Sequence, residues 1–273
     1  MNKPNVKMDV LKKAVSRFIK NAPAKSPEPV DPLTRIIMGF LEYDCDAERA
    51  EAALKKIQSN MVDNNELRVT PAIELAALLG VRYPFAESRC SALHRTLNSI
   101  FDREHHMRLE RLGEMKKSEI RPYFQSLAGI SPYVEAAVCV DCFDLTAAPV
   151  DLKLLLYMQS KDILPEDIDL RTAQQLIEKC LKAGEASDFF HGSRKEIDGW
   201  SPKVWPAREK ASSPILGSTP AEAQAQAVAA DLAEEARKKA IKAAEAKEKA
   251  RVAAEKEKEK KDKEKSAAPA KRK

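Results

Sequence analysis

Between Asp31 and Phe190 apolar residues recur at helical spacing in nearly every segment, and almost no segment alternates as a strand does. Asp31-Pro32 supplies an N-cap and a proline at the first helical position, and the helix LTRIIMGFLEY follows. AERAEAALKKI forms the next amphipathic stretch. Thr70-Pro71 opens PAIELAALLG, which stops at Gly80. ESRCSALHRTLNSIFDREH is a longer amphipathic helix, and KKSEIRPYFQSL, a helix from Pro132 and a helix from Asp151 come after it. DLRTAQQLIEKCLKAG is expected to run to Gly184, and SDFFHGSRK forms a short last helix. The pattern predicts an all-α domain of about eight to ten short helices.

The ends differ from this middle. MNKPNVKMDVLKKAVSRFIK reads as an amphipathic helix with Val10, Leu11, Ala14, Val15, Phe18 and Ile19 on one side, and it is expected to dock on the domain. PAREKASSPILGSTP has the Pro, Ser and Gly content of a linker. Beyond Pro220 the chain is almost entirely Ala, Glu, Lys, Gln and Arg, with Val228, Leu232, Ile241 and Val252 as sparse apolar points and no continuous coiled-coil seam. The expected organisation is therefore residues 1–30 as helix and linker, 31–205 as the folded domain, 206–219 as linker and 220–273 as tail.

Charge sharpens this division. The chain is +5 overall. From Ser218 onward there are 16 Lys/Arg against 11 Asp/Glu, and from Met1 to Asp31 the count is 7 against 3. The region between carries 24 against 28, so the basic character belongs to the ends. The tail reads either as a cationic arm for nucleic acid or protein, or as a solvated, charge-balanced extension.

No run of about 18 apolar residues is present, and the N-terminus lacks a signal-peptide core, so no membrane association or secretion is expected. Five widely spaced cysteines suit a reducing, intracellular setting in the cytoplasm (nucleoid) or nucleus. Cys139 and Cys142 form C-V-D-C inside an apolar helical run without a second ligand pair, which reads as core rather than metal site. His94, His105 and His106 have no partner at helical metal spacing and read as surface residues.

One stretch carries candidate chemistry. SLAGISPYVEAAV has the form of a helix-hairpin-helix, in which a glycine permits a tight reversal and exposed N–H groups at the next helix start can bind a phosphate. After it comes A-P-V-D-L-K. Together these resemble the endonuclease III-like DNA glycosylases of the helix-hairpin-helix Gly/Pro-Asp superfamily, whose pattern is L-P-G-V-G-x-K-T-A, a helix, then a Pro and V-D-T-H. The distance from the lysine position, Tyr133, to the aspartate, Asp151, is kept without a gap. DPLTRIIMGFLEYD, LGVRYPFAESRCSALHRTL and FFHGSRK resemble further family segments, so the likeness spans about Asp31 to Lys195.

The resemblance implies a two-lobed all-α fold, one lobe from about residue 31 to 145, the other from 146 to 205 joined by the N-terminal helix. It implies a monomer that binds double-stranded DNA through Leu127, Gly129, Ile130, Ser131 and Tyr133, with Asp151 as the catalytic carboxylate. Several departures are specific. A phenol at Tyr133 cannot form the imine of a lysine-dependent lyase. EIDGWSPKVWPAREK lacks the family's iron–sulfur cysteines, so no cofactor is expected. Ser131 replaces the second hairpin glycine, and Pro132 removes a donor. Asp44 stands where the family has its base-wedging glutamine and is expected to face DNA, and Lys153 stands at the histidine of V-D-T-H. Two functions follow: a monofunctional N-glycosylase using Asp151, or a catalytically inactive DNA-binding or protein-interaction scaffold. Asp151 reads equally well as the N-cap of LKLLLYM.

Overall fold

A computed structural model describes residues 6–24, 30–80 and 82–202; the expected tail lies outside them. The described residues form eleven α-helices and one short 3-10 helix, with no strand among them. In order these are α1 (Met8–Lys20), α2 (Pro32–Glu42), α3 (Ala47–Asn60), α4 (Asn64–Val69), α5 (Ala72–Leu79), α6 (Ala86–Glu104), the 3-10 turn Glu110–Glu114, α7 (Lys117–Gln125), α8 (Pro132–Phe143), α9 (Leu152–Ser160), α10 (Leu170–Glu178) and α11 (Ala186–Ile197).

At the centre is α8. Every residue from Tyr133 to Val140 is buried, as a largely apolar central helix requires, with Glu135 paired to Arg121 at 2.8 Å. It packs against α2, α7 and α11. Gly39 of α2 lets the two central backbones approach, since a Cβ there would stand 3.1 Å from Val134. The opening helix α1 buries Leu11, Ala14, Val15 and Phe18, while Val10 turns toward solvent. Its main neighbour is α11, where a Cβ on Gly192 would collide with the Phe18 carbonyl. Phe18 meets Phe189 edge-on at 5.9 Å, and Arg17 pairs with Glu196 at 3.1 Å.

The caps follow the sequence closely. Asp31 accepts from Leu33 and Thr34 N–H, Ser131 from Val134 N–H, and Asp151 from Leu154 N–H. Two expectations need correction. α10 ends at Glu178 rather than near Gly184, because Cys180 and Leu181 N–H turn to the carbonyls three residues back and tighten the chain out of α-geometry. The short α4 has no counterpart in the expected helices: it is capped by Asp63 and buries only Leu67, so it leaves no apolar period to read.

Candidate functional site

The hairpin turn is built on α6. Gly129 has φ +86, and a Cβ there would lie 2.6 Å from the Ala92 carbonyl and 2.9 Å from Arg95 Cβ. Glycine is thus required both by its backbone conformation and by its close approach. Ala128 N–H donates to Ser99 Oγ at 3.1 Å, pinning the turn to the same helix. Leu127 is buried in the core, and Ser131 is 1% exposed with its hydroxyl spent as the cap of α8. Gly129 and Ile130 remain partly exposed. Beside them lie two cations of α6. Arg103 donates to the Ser126 carbonyl and hydroxyl, both at 2.5 Å, and Arg95 has a buried Nε with no hydrogen-bond partner.

Tyr133 does not point at this surface. It is 2% exposed, and its hydroxyl donates to Glu42 Oε1 at 2.9 Å. The same carboxylate oxygen accepts from Arg35 Nη2 at 2.6 Å, and Arg35 Nε reaches Asp141 Oδ2 at 2.6 Å. His191 pairs with the other oxygen of Asp141 at 3.0 Å. Burial pushes the Tyr133 phenol far above its ordinary pKa, and Glu42 and Asp151 add to that against the opposing charges of Arg194 and Arg35. Burial also pushes Asp141 up, but the His191 bond and the Arg35 guanidinium outweigh it and hold this carboxyl below its usual range.

Asp151 sits at the inner edge of this network, 1% exposed. Oδ1 caps α9 by accepting Leu154 N–H at 2.8 Å. Oδ2 accepts the Asp44 backbone N–H at 3.2 Å and Arg194 Nη1 at 3.3 Å. Arg194 also donates to the carbonyls of Glu42 and Cys45, at 3.0 and 2.9 Å. Both carboxylate oxygens are therefore held by the protein's own donors. A sugar or a water molecule finds no open face of this carboxylate.

The lock is completed from α2. Its C-terminal carbonyls lack helical partners and are collected by side chains. The Arg89 guanidinium, fully buried, donates to the carbonyls of Phe40, Leu41 and Tyr43, and Tyr83 Oη donates to Leu41. This fixes the Tyr43–Asp46 segment over α9. Asp44, in left-handed backbone at φ +48, accepts Lys153 N–H on Oδ1 at 2.9 Å. The expectation that Asp44 faces DNA is corrected: it is 7% exposed, because its side chain caps α9 beside Asp151. Burial, and next the charge of Asp151, push its carboxyl far above the ordinary value, while the Lys153 N–H, Arg89 and Arg194 oppose the shift. Burial beside a second carboxyl thus favours the neutral form of Asp44. Lys153, itself buried, pairs its ammonium with Asp46 at 2.8 Å.

Sequence reasoning overlooked Arg35, Glu42, Arg89 and Arg194. The signal existed for three of them. Arg35 and Glu42 lie two turns apart on a helix otherwise apolar around them, and Arg89 falls on the buried side of α6 with Ala92, Leu93 and Thr96. Cys139 is core and Cys142 is half-buried. His105 and His106 are exposed, whereas His94 is half-buried along Asn98. No group of three potential metal ligands occurs among the described residues.

No family model matches the sequence, and no curated protein matches it. The fold does have known counterparts. An endonuclease III in a non-covalent complex with DNA matches with a TM-score of 0.55 at 15% identity, covering 72% of this chain and 91% of that one. A thermostable thymine-DNA glycosylase matches at 0.52 and 18% identity, covering 76% and 97%. The 3-methyladenine DNA glycosylase MagIII of H. pylori, bound to 1,N6-ethenoadenine, matches at 0.51 and 16% identity, covering 73% and 100%. The chain has the helix-hairpin-helix DNA glycosylase fold.

Proposed function

We propose that this protein binds double-stranded DNA with a glycosylase fold in which Asp151 serves structure rather than base excision. The observation that carries the reading is the carboxylate itself: buried, with Oδ1 capping α9 and Oδ2 held by Asp44 N–H and Arg194. Excision requires a carboxylate close to the sugar of a flipped nucleotide, in a pocket that admits it. The grip on DNA is the hairpin. Backbone N–H groups around Gly129 and Ile130 offer a phosphate its donors, and Arg95 and Arg103 set positive charge beside them. Leu127, Ser131 and Tyr133 support this turn from inside.

We assign one lobe to residues 31–145 and the other to residues 146–205 with α1. The packing of α1 on α11 supports the second grouping. No described helix is long and apolar enough to cross a membrane.

The binding reading is tested by fluorescence anisotropy with a labelled duplex over a salt series. Arg95→Gln and Arg103→Gln should each weaken binding, and each should lower the salt slope by about one where a phosphate contact is lost. Unchanged affinity and slope in the double variant would contradict hairpin-mediated binding. The competing reading is a monofunctional glycosylase using Asp151. It is favoured by the position of Asp151 at the start of α9, where the Tyr43–Asp46 segment and Arg194 hold Oδ2. It requires that segment to release both Asp151 and Lys153 N–H, and it yields abasic sites without strand cleavage, since Tyr133 forms no imine.

A further inference from the structure

Helix α5 has one polar residue in eight, Glu74, a composition that normally goes with burial on every side. It nevertheless buries only Leu75 and Ala76. Ile73 is 73% exposed, Ala77 is exposed, and Val69 just before the helix is 56% exposed. Ile73, Ala76, Ala77 and Gly80 fall at i, i+3, i+4 and i+7, so they form one stripe along the helix. All four line an open cleft of about 1230 Å³. A Cβ at Gly80 would meet nothing within 4 Å, so the stripe stays uncovered to its end. Single exposed apolar side chains are ordinary, but a stripe at helical spacing is what one helix offers another.

The charged groups of the cleft fix the character of its occupant. Lys153 and Asp46 pair at 2.8 Å and largely cancel. Arg49 and Arg82 each line the cleft, are exposed, and make no salt bridge among the described residues. Against them stands Glu87. α6 also opens into this cleft, with Phe85 in left-handed backbone at φ +53 and no side-chain cap. The positive end of a 19-residue helix therefore adds to the arginines. The lining is apolar along α5 and cationic elsewhere, within a region that is acidic as a whole.

We propose that α5 docks an amphipathic helix of a partner protein, with aliphatic residues on the stripe and acidic residues meeting the cleft's arginines. Ala76, Ala77 and Gly80 are small, so a second helix can approach α5 closely, with Ile73 as the knob at one end. The cleft exceeds the roughly 300–1,000 Å³ of small-molecule pockets, and its linear apolar stripe suits a peptide better than a compact ligand. A second copy of this chain is the poorer match. Pairing α5 with its own symmetry mate would set one positively charged patch against another. The inference stands apart from the duplex-binding reading, because it uses none of the hairpin residues.

The test is fluorescence anisotropy of the full chain with a labelled four-turn helical peptide whose leucines repeat at i, i+3, i+4 and i+7 and whose flanks are glutamate. One control breaks the leucine spacing at the same composition, and the other carries lysine in place of glutamate. The glutamate peptide should bind at least tenfold more tightly than either control. Ile73→Asp, at an exposed position, should weaken it at least tenfold, and Arg49→Glu with Arg82→Glu at least fivefold, while duplex binding stays unchanged. No binding of the glutamate peptide at millimolar concentration would overturn the proposal, as would equal binding of either control. Loss of peptide and duplex together in Ile73→Asp would make the stripe part of the DNA interface. A concentration-dependent dimer abolished by Ile73→Asp would assign the stripe to a second copy. Either of these results also overturns the proposal.

Discussion

The hairpin and the Asp151 site stand at the two ends of the same helix-loop-helix stretch, yet they treat polar groups in opposite ways. At the hairpin the turn leaves Gly129 and Ile130 partly exposed, and Arg95 has a buried nitrogen without a partner. Around Asp151 the groups are sealed in the core: Arg194 has three acceptors, Arg89 has four, and Arg35 bridges Glu42 to Asp141, while Arg35 Nη1, Tyr43 Oη and Asp44 Oδ2 have no partner and no solvent. A ligand can reach the polar groups of an exposed turn, whereas a network closed to solvent, met or unmet, serves structure. A carboxylate at a familiar position in a familiar fold does not by itself tell which of these it belongs to.

The largest effect should come from breaking the locked side. Arg35→Met leaves Glu42 and Asp141 buried without their shared cation, and removal of one member of a buried ionic group costs about 3–5 kcal/mol. Urea unfolding should show a loss of this order at neutral pH. A loss under 1 kcal/mol would mean that the network relaxes or admits water.

On the hairpin side, Gly129→Ala combines a left-handed backbone with a close approach to the Ala92 carbonyl. It should cost about 1–3 kcal/mol of stability. It should also weaken duplex binding more than an equally destabilising change in α1, such as Ala14→Gly. Equal binding by the two variants would remove the hairpin from the interface.

The third prediction concerns pH and has a smaller, opposite effect. The folded-state pKa of Asp44 is raised by burial and by Asp151, so its contribution favours the fold below the ordinary carboxylate range and is lost as pH rises. At neutral pH the unfolded chain gains by ionising it. Asp44→Asn resembles the neutral acid and can still accept Lys153 N–H, so it should stabilise the protein at pH 7.5 and lose that advantage by pH 4. A variant less stable than the parent at pH 7.5 would show that Asp44 is ionised in the fold.

Much of the fold was legible because its helices announce themselves locally. Asp31-Pro32, Ser131-Pro132 and Asp151 each place a capping oxygen one residue before an apolar run, and each caps in the structure. The all-α class and the hairpin followed from the same signals. The site was less legible. Asp151 could be read as catalyst or cap from sequence, since both need a carboxylate at a helix start. What separates them is the arrival of Arg194 from 43 residues away and of Asp44 N–H from 107 residues away. Helical periodicity places Arg89 on the buried side of α6, but only tertiary packing reveals that Arg194 reaches Asp151.

The central claim is that the Asp151 carboxylate is closed to substrate. It is tested most directly by incubating stoichiometric protein with duplexes that carry oxidised, deaminated or alkylated bases, then treating with alkali to reveal abasic sites. The structure predicts no base release from any duplex by the parent protein, and equal silence from Asp151→Asn. Base release by the parent protein that Asp151→Asn abolishes, with folding and duplex binding intact, would contradict the account and make Asp151 a catalytic residue.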